Sequence, residues 1–160
     1  MTRAVNEEAT ENNAETRSTL SGLEYMQKLA AGELPQSGMG KLMGFKLVEV
    51  SKGHAVLSVK PDERHYNGIG IAHGGLAATL LDSATGCAIN TMMPAGRIFT
   101  TLEMKINYVR PIRGATGEIR CEARVIHAGR RTAYAEGRIV DENGKLYAHG
   151  TATCMLFQVR

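Results

Sequence analysis

The 160-residue sequence predicts an α+β fold in which one long helix is inserted among five or six antiparallel strands. Three observations carry this. Residues 74–93 lack proline, are rich in Leu and Ala, and hold a single charged residue, Asp82, so they read as a helix. The segments after them alternate apolar and polar residues with the period of a strand. Asp141-Glu142-Asn143-Gly144 then supplies an Asn-Gly pair, a strong hairpin signal, between two such segments.

Taken in order, residues 1 to about 18 are polar, with Glu7, Glu8, Glu11 and Glu15 and few large apolar residues, a composition expected to stay disordered. From Ser21, the spacing of Leu23, Tyr25, Met26, Leu29 and Ala30 predicts a short amphipathic helix ending near Gly32 and Pro35. Residues 36–40 read as a polar linker. Strands are expected at 45–50 and 54–59, joined by a turn at Ser51-Lys52-Gly53. After the long helix, residues 100–109 alternate, with Leu102, Met104, Ile106 and Tyr108 on one face and Thr101, Glu103, Lys105 and Asn107 on the other. Residues 118–127 group Ile119, Cys121, Ala123 and Val125, and strands at 131–140 and 145–158 flank the Asn-Gly turn. There is no internal repeat.

Bulk properties exclude several classes. A formal charge of +3 is well short of a nucleic-acid footprint. No apolar run is long enough to span a membrane, and no apolar signal segment opens the chain, so a protein outside the membrane is expected. Cys87, Cys121 and Cys154 sit in apolar contexts without metal-ligand spacing, and an odd count of such thiols points to a reducing, cytoplasmic compartment. His54, His127 and His149 show no metal spacing and read as surface or packing residues. There is no Gly-x-Ser-x-Gly elbow, dinucleotide fingerprint or phosphate loop.

The chemistry concentrates around the long helix. Leu76, Leu80, Ala84 and Cys87 form a core stripe, while Asp82 lies on the other side among Gly75, Ala78 and Gly86, small enough to admit a ligand or another backbone. Ile89 and Met93 share the Asp82 side, which argues for a covered face rather than a solvated one. The helix starts at His73-Gly74-Gly75, where unbonded N–H groups and the positive end of the dipole suit an oxyanion. A carboxylate such as Asp82 can activate water or attack directly. Gly74 and Asp82 are eight residues apart, about 12 Å along a helix axis, too far to act on one carbon. A two-fold dimer with antiparallel helices would join Gly74 of one copy to Asp82 of the other.

The element order, together with Asn67, His73-Gly74-Gly75, Asp82 and the strand from Thr101 to Pro111, resembles the hotdog-fold acyl-CoA thioesterases, specifically the phenylacetic-acid-degradation (PaaI-type) branch. The resemblance covers residues 40 to 158. It implies a sheet wrapped around the helix and sites at a homodimer interface, with a dimer-of-dimers homotetramer as the assembly. With the reading of the first 40 residues from composition and spacing, the chain divides into a disordered tail (1–20), a short helix and linker (21–40) and a thioesterase domain (41–160). The resemblance implies that Gly74 N–H polarises the thioester carbonyl and that Asn67 positions the thioester or the water. Asp82 of the partner chain serves as base or nucleophile, and Thr101, favoured over Thr100 by strand parity, holds the water. His73 supports the loop. Gly75 lies beside the substrate, and Gly129, Arg130 and Arg131, at a strand turn, face the CoA phosphates, with Arg110 and Arg113 a second basic pair. Met43, Met92, Met93 and Met155 are candidates for an adaptable acyl pocket. Lys105 and Arg138 are expected to pair with Glu103 and Glu136. No cofactor is implied beyond the CoA of an aryl- or medium-chain acyl substrate. Two other readings stand beside hydrolysis: a non-catalytic acyl-CoA sensor, and an enoyl-CoA hydratase.

Overall fold

Ser21 caps the first helix, α1 (Gly22–Ala30), by accepting from the Glu24 N–H at 3.3 Å while its own N–H donates to Glu24 Oε2 at 2.9 Å. The computed structural model describes residue 16 and residues 18–158, and residues 16, 18 and 19 are already helical. The disorder expected of the tail otherwise falls on residues outside the described ones.

A second helix, α2 (Gly38–Met43), replaces the linker expected at 36–40. Two glycines in six residues give it poor intrinsic propensity. It forms because Ser37 accepts from the Gly40 N–H at 3.1 Å and Gly44, at φ 68°, closes it in the left-handed conformation.

The rest of the chain runs β1 (Lys46–Ser51), β2 (His54–Val59), α3 (Gly74–Asn90), β3 (Arg97–Tyr108), β4 (Ile119–Ala128), β5 (Thr132–Asp141) and β6 (Leu146–Gln158). All pairings are antiparallel, in the sheet order β1-β2-β4-β5-β6-β3, and α3 packs across β2 to β6. The expected α+β class and the helix wrapped by a sheet are both present. α3 stops at Asn90 rather than 93, since Pro94 disfavours the helical region for the residue before it.

Leu76, Leu80, Leu81, Ala84 and Ala88 bury the helix against Leu57, Ile119, Cys121 and Ile139. Leu81 seats over two glycines that pair across β5 and β6, Gly137 and Gly150. A Cβ on Gly137 would stand 3.0 Å from Leu81 Cδ2, and one on Gly150 would stand 3.5 Å from Leu81 Cδ1 and 2.6 Å from the Lys105 carbonyl. The recess therefore requires residues without side chains.

Four strands carry an extra residue that a partner strand skips: Val48 in β1, Leu102 in β3, Ile126 in β4 and Tyr147 in β6. The first three are exposed, at 44%, 57% and 52%, whereas Tyr147 is buried. The Leu102 bulge corrects the faces expected of β3. Thr101 shares the inward side with Met104 and Ile106, whereas Leu102 turns out. The charge pairs also differ from expectation: Arg138 meets Glu122 at 3.8 Å and Arg124 meets Glu136 at 2.5 Å. These residues stand directly opposite one another on β4 and β5, closer than neighbours two apart on one strand.

Asp141 holds the Asn-Gly hairpin. Its Oδ1 accepts from the Asn143 and Lys145 N–H groups at 3.0 and 2.9 Å, and Tyr147 donates to Oδ2 at 3.1 Å. These bonds, led by that from Lys145, hold its carboxyl below the usual range. A depressed folded pKa adds stability above the unfolded value, near pH 4, that is lost as pH falls through the folded one. Asp141→Asn should therefore lower Tm at pH 7, with the deficit shrinking below about pH 4. Thermal melts of both proteins from pH 2 to 7 check this, and a deficit independent of pH would refute it.

Candidate active site

His73 opens α3 as its N-cap, in extended conformation, and its Nδ1 accepts from the Gly75 N–H at 2.9 Å. The Leu76 N–H bonds the His73 carbonyl at 2.9 Å. Of the first three amides, Gly74 N–H is left without a partner among the described residues. Tyr108 covers this turn: its hydroxyl donates to the Gly74 carbonyl at 3.2 Å, and its ring lies 3.3 Å from where a Gly74 Cβ would stand. His73 thus caps the helix from within the loop, and Gly75 spends its N–H inside the chain.

The loop before α3 is tightly tied. Asn67 Oδ1 accepts from the Ile69 and Ile71 N–H groups at 3.0 and 3.3 Å, so its side-chain carbonyl serves its own loop. His65, buried and not singled out from sequence, anchors the loop to α2. The Asp62 N–H occupies His65 Nδ1 at 3.0 Å, so the neutral ring carries its proton on Nε2 and donates it to the Met43 carbonyl at 3.1 Å. The His65 carbonyl then receives the His73 N–H at 2.7 Å.

Asp82 lies half-buried in the middle of α3. Thr101, brought to the inward face of β3 above its bulge, donates to Asp82 Oδ1 at 2.9 Å. Cys154, opposite Thr101 on β6, donates in turn to Thr101 Oγ1 at 3.8 Å. Burial pushes the Cys154 thiol above its ordinary pKa, which keeps it a donor. With its one proton committed to Asp82, the Thr101 hydroxyl offers a water only an acceptor lone pair. Thr101→Val keeps the shape and removes one hydrogen bond to a charged group, so kcat should fall about ten- to a hundredfold. Unchanged kcat with an unchanged melt would show that Thr101 does not position the carboxylate.

Asp82 and Thr101 border a cavity of ≈ 660 Å³ between α3, β1, β3 and the two N-terminal helices. Gly86, expected to admit a ligand or another backbone, lines the cavity and also meets Phe99 of its own β3: a Cβ there would be 3.0 Å from the ring. None of Met43, Met92, Met93 and Met155 lines the cavity; Met26 does. Met93 is buried with Ile89 in a second core cluster, and Met155 is exposed.

Gly129, Arg130 and Arg131 form the β4–β5 turn, closed by a bond from Gly129 N–H to the Thr132 carbonyl at 2.8 Å. Both arginine side chains are exposed and in no ion pair among the described residues. Arg97 donates to the Arg130 carbonyl, which adds a third guanidinium to that end. Arg110 is bound to the Leu146 carbonyl at 2.6 Å. One chain therefore unites Asp82 with Thr101, and separately sets Gly74, Asn67 and His73 at the start of α3. Among the described residues, no group of three or more His, Cys, Asp or Glu side chains could hold a metal, and no helix is long and apolar enough to cross a membrane.

The thioesterase superfamily model matches residues 69–148, the stretch from the site loop to β6. Human acyl-coenzyme A thioesterase 13 is 33% identical over 109 residues, 67% of this chain and 76% of that protein. Among solved structures, a variant of the phenylacetic acid degradation protein PaaI from Thermus thermophilus superposes with a TM-score of 0.68 at 31% identity, covering 74% of this chain and 98% of the other. A Streptococcus mutans protein bound to acetyl CoA superposes with a TM-score of 0.66 at 26% identity, covering 72% and 90%.

Proposed function

Since this chain belongs to the thioesterase superfamily, we propose that it hydrolyses an aryl- or medium-chain acyl-CoA thioester to the free acid and CoA. The observation that carries the reading is the carboxylate of Asp82, the one charge on α3, held by Thr101 on the wall of a cavity. In this mechanism Asp82 takes a proton from water as the water oxygen bonds to the thioester carbon, or attacks that carbon itself. The carbonyl electrons move onto oxygen, which the Gly74 N–H at a helix N-terminus stabilises by about 3–4 kcal/mol. The C–S bond then breaks as the oxyanion electrons re-form the carbonyl, and the CoA sulfur takes the proton held by Asp82. Where Asp82 itself attacks, the sulfur is protonated from solvent. Water then hydrolyses the acyl–aspartyl anhydride to the free acid and the Asp82 carboxylate, returning the proton to solvent.

The eight-residue spacing of Gly74 and Asp82 along α3 supports a site shared by two copies of the chain, which makes a homodimer the active unit, and the likeness to the family supports a dimer of dimers as the assembly. Asn67 positions the thioester from the second copy, and His73 holds the turn that presents Gly74 and Gly75. The guanidinium groups of Arg130 and Arg131, in no ion pair among the described residues, with Gly129 giving the turn, take the CoA phosphates. CoA arrives with the substrate and no other cofactor is required. The cysteines, which form no disulfide among the described residues, suit work in the cytoplasm.

Release of free thiol from a panel of acyl-CoAs tests the reading. Turnover greatest on aryl or medium-chain substrates is the expected result. Saturable binding with no thiol release from any acyl-CoA would overturn it in favour of a binding protein.

A further inference from the structure

The cavity at Asp82 is roofed by a part of the chain that lies outside the family match at 69–148. Tyr25, Met26 and Leu29 of α1 face Phe45, Leu57 and Phe99 across it, and Asp82 and Thr101 stand on its wall. Among the described residues, Asp82 and the exposed Lys46 are the only charged side chains that line it. The volume of ≈ 660 Å³ is that of an ordinary small-ligand pocket.

The roof is seated, not draped. Gly22 donates its N–H to the Met93 carbonyl at 2.9 Å, and a Cβ on Gly22 would lie 1.7 Å from the Asn90 carbonyl oxygen, so α1 rests directly on the C-terminal end of α3. Tyr25 and Met26 are buried at 6% and 2% exposure. Behind α1, Gln36 donates to the Phe45 carbonyl, and the Phe45 N–H bonds the Gly40 carbonyl at 2.9 Å, which ties α2 to β1.

We propose that α1 and α2 form an acyl-selecting roof, under which the uncharged, apolar tail of the substrate lies, and that Met26 and Leu29 set how large a tail is accepted. The proposal rests on the thioesterase reading for the thioester's place at Asp82. The tail is apolar because most of the lining side chains are aromatic or aliphatic, among them Tyr25, Met26, Leu29, Phe45, Leu57 and Phe99, with Gln36, Ser37 and Asn90 as polar members, and a carboxylated tail against the apolar part would lose its hydration.

The test uses S-alkyl-CoA thioethers, which resemble the substrate and are not hydrolysed, titrated calorimetrically into the full chain. Wild type should bind octyl-CoA more tightly than methyl-CoA, by about fourfold for each methylene that enters the cavity. Met26→Trp and, at a less buried position that tolerates the change, Leu29→Trp should each shrink the octyl-over-methyl preference by about tenfold or more. Met39→Trp, on the exposed side of α2 and away from the cavity, should leave the preference as it was. A wild type with no chain-length preference, or folded Met26 and Leu29 variants that keep it, would overturn the roof. The two proposals fail separately: a length preference without thiol release overturns hydrolysis alone, and thiol release without a length preference overturns the roof alone.

Discussion

Asp82→Asn should reduce thioester turnover by about a hundred- to ten-thousandfold and leave the melting curve nearly unchanged. The amide has the shape of the carboxylate and still presents an oxygen to the Thr101 hydroxyl, so the packing around the middle of α3 persists. What it loses is the ability to accept a proton from water or to attack carbon. The measurement is kcat on the best acyl-CoA beside a thermal melt, and a variant with full turnover would remove Asp82 from the mechanism. The same variant tests the shared site. Gly74→Val places methyl groups against Tyr108 at the helix start and blocks the N–H there, so it too should be inactive. In a heterodimer of the two, one site combines an intact Gly74 with an intact Asp82. An equal mixture, refolded or co-expressed, should regain about a quarter of wild-type activity. A mixture that stays inactive would place both groups in the same chain's site.

Leu81→Ala should destabilise the fold by about 2–5 kcal/mol, which lowers Tm by roughly 5–20 °C in a domain of this size. Leu81 is fully buried and fills the recess over Gly137 and Gly150, so its truncation leaves a hole with rigid backbone on the far side. Gly137→Ala alone should cost about 1–3 kcal/mol, since its methyl would press on Leu81. Combined, the two changes should partly cancel, with a coupling of about 1 kcal/mol or more in a double-mutant cycle. Strict additivity of the two effects would show that the recess does not work as a lock between helix and sheet.

The fold class, the strands and the start of α3 are legible because each is written in local pattern: the alternation of β4 to β6, the Asn143-Gly144 turn, and a single charge on an apolar helix. Asp82 and His73-Gly74-Gly75 stand out for the same reason. The neighbours of Asp82 are less accessible. Thr101 is expected near it, yet simple alternation puts the wrong residues on its face, because the Leu102 bulge breaks parity and leaves no local mark in the sequence. Cys154 reaches Thr101 only through the pairing of β3 with β6, which links residues 53 positions apart. His65 looks like any loop histidine, since its burial comes from Met43 and Asp62 closing over it. α2 reads as linker because its two glycines speak against a helix, and the Ser37 and Gly44 caps that make one are common residues in linkers too. The roof over Asp82 depends on α1 docking against α3 through Gly22, a contact between segments that no periodicity connects.

The outward residues Val48, Leu102 and Ile126 also bear on how the length of this chain can change. Each is skipped by its partner strand, so a gene lacking any one of these codons would encode a strand in which every remaining side chain keeps its face. Deleting Leu102 would leave Thr101 opposite Cys154 and Glu103 opposite Thr153, as they are now. A deletion elsewhere in a regular stretch must exchange inward for outward residues over part of the strand. Codons 48, 102 and 126 are thus where single-residue length variation should accumulate without disturbing the carboxylate on α3.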